Sequence, residues 1–186
     1  MIWSKLRVKV RANLCKELRD RLDFHVTAYR KSHDSDYGRA WISVDGHQIA
    51  SWSCFEQLLH PLPLEELRAR FPGGWRVFEY DRFASERGIY SEREFKLLLG
   101  EYLNWDPHAA LSSAVPLIRM LAVIDKRIGA RTLSRFAIHE EPDMIVQLLY
   151  RLRTQESQQA LHRMAAPPRC LAIREPVRGR HRGANR

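Results

Sequence analysis

The stretch GRAWISVDGHQIASWS, residues 38–53, alternates with period two on either side of Asp45-Gly46. Such alternation marks strands with one face toward a core. Asp-Gly marks a two-residue hairpin loop, because both positions take positive φ readily. A two-residue loop pairs Val44 with His47, Ile42 with Ile49, Trp41 with Ala50 and Arg39 with Trp52. In this register the two isoleucines meet on the core side, and Arg39, Trp41 and Trp52 share the opposite face. Upstream, FHVTAY, residues 24–29, sets Phe24, Val26 and Ala28 on one side and His25, Thr27 and Tyr29 on the other. Strands within 22–31 and 38–53 thus predict a three-stranded antiparallel meander.

Helical signals surround it. Leu6, Val10, Leu14, Leu18 and Leu22 recur every fourth residue, with Val8 and Cys15 beside them, and predict an amphipathic helix over 4–22. Lys5, Lys9, Lys16 and Arg19 fall on its other side. Ser53 and Glu56 have capping-box spacing and predict a short helix from Cys54 to Pro61. Pro63 opens LEELRARF, closed by Pro72-Gly73-Gly74. WRVFEY, residues 75–80, reads as a short strand and ASERG, residues 84–88, as a loop. Ser91 and Glu94 start a helix that buries Phe95, Leu98, Leu99, Tyr102 and Leu103. Asp106 caps a short one. SAVPLIRMLAVIDKRIG is the most apolar, ended by Gly129, and EPDMIVQLLYRLR is the last.

The fold class expected is α+β, with the N-terminal helix packed on the meander and a mainly helical second half. Residues 1–60 form the helix-plus-meander unit, 61–90 a connecting segment and 91–160 a helical subdomain packed on the first. Residues 165–186 read as a basic, disordered tail.

The net charge of +9 belongs mostly to that tail. Residues 163–186 hold seven arginines against Glu175, and the other 162 residues carry 24 basic and 21 acidic side chains. The folded part is only mildly basic, so net charge argues weakly for a nucleic-acid partner. No run of about 18 apolar residues marks a membrane span. The charged opening, MIWSKLRVKVRANLCKEL, is unlike a secretory leader. Three scattered cysteines, Cys15, Cys54 and Cys170, read as reduced thiols, and the chain as soluble and cytoplasmic.

WSKLR, YRKSHD…GRAWISVDG and YLNWDPHAAL…PLIRMLAVIDKRIGARTL carry a resemblance across residues 1–136. They resemble a family of uncharacterised bacterial proteins opening with W-S-K-L. That family continues with Y-R-x-S-x-D and G-R-x-W-I, then P-L-I-R-A-L-A-x-x-D-R-R-x-G-K-R. Met120, Lys126 and Ala130 depart from it, standing where alanine, arginine and lysine are expected. The resemblance implies no established activity and no functional residues.

Two function classes remain. The first is a non-enzymatic binding protein that uses His25, Tyr29, Arg39, Trp41 and Trp52. Aromatic rings beside arginine on a sheet form a surface on which unpaired bases stack. If the second half covers this face, the tryptophans are core and Arg39 and Trp52 form an internal cation–π pair. The partner is then nucleic acid or another protein, with no cofactor, metal or membrane. The second class is a small hydrolase or transferase. Cys54 lies at a helix start, where thiols ionise more readily. His33, Asp34 and Asp36 have general-base or ligand chemistry, but their spacing is also that of a turn. Glu94 and Lys96 echo a nuclease E-x-K, yet on a helix they stand about 200° apart. Lys126, Arg127 and Arg131 gather at a helix C-terminus, where cations suit the dipole. No phosphate loop, G-x-S-x-G or H-E-x-x-H pattern occurs.

Overall fold

The every-fourth stripe at the N-terminus is buried, yet the helix that starts it is short. In the computed structural model, which describes residues 2–28, 38–53 and 62–154, helix α1 runs over Trp3–Ala12. Asn13 caps it, and the chain then turns away. Leu14 bridges to Asp125, with Cys15 N–H on the Ile124 carbonyl at 2.8 Å and Lys126 N–H on the Asn13 carbonyl at 2.8 Å. Two further helical turns, Arg19 N–H to Cys15 O and Leu22 N–H to Leu18 O, keep the spacing. All five stripe residues are therefore buried, although the predicted helix over 4–22 breaks at Ala12. Val8, expected beside them, is exposed, as are Lys5, Lys9, Lys16 and Arg19.

Strands β1 (Leu22–Ala28), β2 (Gly38–Val44) and β3 (His47–Ser53) form the predicted antiparallel meander in the order β1-β2-β3. The hairpin turn is as expected, with Asp45 at φ 51° and Gly46 at φ 78°. The β2–β3 register is not. Val44 faces His47 as expected, but Ser43 faces Gln48 while Ile42 faces Ala50, which leaves Ile49 as an extra residue. Beyond this bulge every later residue of β3 changes face. Ala40 rather than Arg39 pairs with Trp52, and Arg39 pairs with Ser53.

The helical half contains α2 (Leu64–Arg70), α3 (Val77–Ser85), α4 (Glu92–Tyr102), α5 (Pro107–Ala110), α6 (Pro116–Ile124), α7 (Ala130–Leu133) and α8 (Met144–Arg153). The structure is thus an N-terminal helix, a three-stranded sheet and a helical remainder, an α+β fold with eight α-helices among the described residues. Helix α3 replaces the strand expected over 75–80. Glu79 Oε2 accepts the Arg76 amide at 2.7 Å, closing the first turn. Gly88, at φ 76°, ends the helix: Ile89 N–H bonds Ala84 O and Gly88 N–H bonds Ser85 O, a glycine-terminated stop. Ser91 caps α4 through the Glu94 amide at 3.0 Å, and Phe95, Leu98, Leu99 and Tyr102 are buried as expected, whereas Leu103, at the helix end, is half-buried.

One continuous core joins α1, the inner sheet face, α4, α6 and α8. Helix α6 is buried almost throughout. It ends at Ile124, not Gly129, because Asp125 turns extended to meet Leu14. Gly129 instead precedes α7. Buried Asp125 accepts the Tyr102 hydroxyl at 2.7 Å and the Arg127 guanidinium at 2.7 Å. Burial opposes its charge, but the Arg127 side chain, the Arg127 amide and Tyr102 outweigh that and hold its carboxyl below the usual range. Arg153, rather than the expected cations, takes the carbonyls of Val123, Asp125 and Ile128. Lys126 caps the end of α1 through the Ala12 carbonyl at 2.8 Å.

Candidate functional site

Strand parity places Asp23, His25 and Thr27 of β1 beside Arg39, Trp41 and Ser43 of β2 on the outer sheet face. His25 and Trp41 are direct cross-strand partners. Their rings stack at 4.8 Å with 6° between planes. The Arg39 guanidinium lies 5.4 Å from the centre of the Trp41 ring and donates to Gln48 Oε1 at 2.5 Å. His25 Nε2 is 2.8 Å from Ser43 Oγ. The ring stack and the side-chain bonds run from strand to strand, and the Arg39–Trp41 contact lies within β2, so all of them stay within the sheet. His25, Trp41 and Arg39 form one ladder across the strands, half-buried and aligned.

Charge surrounds the ladder. Arg7 of α1 binds Asp23 through Nε at 2.9 Å, and Arg11 approaches the same carboxylate at 3.6 Å. Burial disfavours the Asp23 charge, but Arg7, the Phe24 amide and Arg11 bring its carboxyl below the usual range. Burial and Arg7 depress the His25 pKa, against the pull of Asp23, so its imidazole favours the neutral form. Lys5 and Lys9 are exposed on α1 and make no ion pair with a described residue.

Of the five residues expected on this face, the structure brings His25, Arg39 and Trp41 together. Trp52 is a correction. The bulge at Ile49 turns it inward, where it meets Phe95 at 5.4 Å and Tyr90 at 5.4 Å and donates Nε1–H to Gly88 O at 3.0 Å. The arginine–tryptophan pair is accordingly Arg39–Trp41 and not Arg39–Trp52. Tyr29 lies outside the described residues. So do His33, Asp34, Asp36 and Cys54, and with them the predicted turn and the helix over 54–61. Among the described residues no group of three or more His, Cys, Asp or Glu is placed to hold a metal. Lys96 pairs with Glu92 at 2.6 Å, on the far side of α4 from Glu94, as helical spacing requires.

A second feature has no counterpart in the sequence reading. A groove of about 820 Å³ runs between α3 and α4 and reaches Val115 and Ile118. Val77, Phe78, Leu97 and Trp105 line it and are exposed. Glu94 sits among them, bonded only weakly by Ser85 Oγ at 3.5 Å. Burial, then the like charges of Asp81 and Glu101, push its carboxyl up. Reading α3 as a strand hides the groove. Helical spacing from Val77 to Phe83 and Ala84, stopped by Gly88, is the signal that finds it.

Helix, meander and helical half define an α+β protein whose sheet keeps one face away from its helical core. A family model matches residues 2–154, and the chain belongs to the SF0329 protein family. No curated protein and no solved structure matches it. No helix among the described residues is long and apolar enough to cross a membrane.

Proposed function

We propose that the chain is a non-enzymatic binding protein that contacts single-stranded nucleic acid through the outer face of its sheet. The Arg39–Trp41–His25 ladder carries this reading. Aromatic rings offer a stacking surface to any base, and a guanidinium beside them supplies a phosphate contact or a cation–π contact. The ladder is built before any ligand arrives, which lowers the ordering cost of binding. Exposed Lys5 and Lys9 on α1 and the seven arginines of residues 163–186 add phosphate-directed charge. A cytoplasmic location fits this reading, since buried Cys15 is a free thiol.

Fluorescence anisotropy with labelled single-stranded oligonucleotides tests it. Affinity is expected to fall steeply with salt, and Arg39→Ala and Trp41→Ala are expected to weaken it. Stacking is worth about 1–3 kcal/mol per base, so Trp41→Ala should cost roughly 5- to 150-fold. Binding that ignores both substitutions but vanishes without residues 165–186 would move the function to the tail. Absence of binding at low salt would overturn the reading.

A further inference from the structure

The α3–α4 groove plays no part in the proposed contact with nucleic acid. Four of the nine exposed large apolar side chains among the described residues line it: Val77, Phe78, Leu97 and Trp105. Exposed apolar surface gathered in one place marks a contact with another molecule. The shape has two parts. Val77 is 78% and Phe78 60% exposed at the first turn of α3, while the floor at Leu98 and Ile118 is buried. A projecting edge beside a hollow, on one surface, is what an isologous contact requires.

The charges select the occupant. Glu94 and Glu101 line the groove without an ion pair to any described residue, and so do Arg76 and Arg93. A strongly basic partner would satisfy only the two acids, and a strongly acidic one only the two arginines. A second copy offers equal numbers of both. Burial and the like charges of Asp81 and Glu101 raise the Glu94 carboxyl, and Arg93 offsets them only in part, so a cation from a second copy would be favourable there. The described body suits self-association, because most of the net positive charge lies in residues 163–186.

We propose that the α3–α4 face joins two copies of this chain, with Phe78 of each entering the groove of the other and arginines of one meeting carboxylates of the other. Sedimentation velocity on nuclease-treated full-length protein, across the micromolar range, tests it. A dimer is expected. Leu97→Glu and Phe78→Glu should raise its dissociation constant by at least about tenfold, the scale of a central interface residue. Both side chains are exposed, so circular dichroism and melting should stay as in the parent. Arg93→Glu should weaken the dimer, and adding Glu101→Arg to the same chain should restore it. A parent protein monomeric throughout would overturn the proposal. So would a dimer indifferent to Leu97→Glu in a variant that remains folded.

Discussion

Trp41 and Trp52 stand on neighbouring strands with opposite fates. Trp52 is wedged against Phe95 and Tyr90 and bonded to Gly88, so it ties the sheet to α4 and to the end of α3. Trp41 meets His25 and Arg39 of its own sheet instead. A plain two-residue hairpin would have put both on one side. The difference comes from Ile49, the single residue of β3 without a partner on β2. One extra residue converts a shared aromatic face into one core tryptophan and one outer tryptophan. The protein thereby separates the indole that builds the fold from the one left for a ligand.

The strongest way to break this comparison is Trp52→Ala. Truncating a fully buried tryptophan costs about 3–5 kcal/mol. Trp52 is half-buried but packed on the core, so a loss of about 3 kcal/mol is expected, and the Gly88 carbonyl also loses its donor. Urea unfolding should show the drop. A change as small as that of a surface residue would mean that Trp52 is not part of the core. Deleting Ile49 is next. Without the extra residue the ladder either turns Trp52 outward or pulls the turn out of register. A loss near the top of the usual range of about 0.5–3 kcal/mol is expected, with Trp52 fluorescence shifted toward that of exposed indole. An unchanged midpoint and spectrum would show that the bulge is incidental.

Trp41→Ala sharpens the comparison from the other side. It removes a cross-strand pair and an arginine contact but no core packing, so its stability cost should stay below about 1 kcal/mol. The same urea experiment, run beside Trp52→Ala, reads the contrast directly. Equal losses for the two tryptophans would end the division between a core face and an outer face.

What is legible in the sequence follows the range of the interactions involved. The Asp45-Gly46 turn, the three strands, the Ser91 and Asp106 caps and the buried positions of α4 depend on neighbours close in sequence, and all are found. The ends of α1 and α6 differ from expectation because they are set by a bridge between Leu14 and Asp125, far apart in sequence. Arg127 and Lys126 look like dipole partners at one helix end. One instead neutralises buried Asp125 and the other caps α1. The bulge leaves no composition signal, since Gln48, Ile49 and Ala50 suit either register. Adjacent apolar residues Val77 and Phe78 fit a strand or a helix, and the Glu79 bond to the Arg76 amide selects the helix. His25, Arg39 and Trp41 are visible by parity, whereas the groove requires two helices to be placed side by side.

The smallest expected effect lies in the His25 imidazole beneath Trp41. Burial and Arg7 depress its pKa, so the folded state binds the proton less readily than the unfolded chain. Stability tied to neutral His25 is therefore fully present above its unfolded pKa of about 6.5 and is lost as pH falls toward and through the lower folded value. His25→Gln removes that titration. The parent should lose more melting temperature between neutral pH and about pH 5 than the variant does, since Asp and Glu titrate mainly below that window. Other histidines contribute equally to both proteins and cancel in the difference. Identical pH dependence in the two would show that the stacked imidazole is as free to take a proton as one in water. Trp41 would then lack the half-buried, pre-stacked neighbour on which the outer ladder depends.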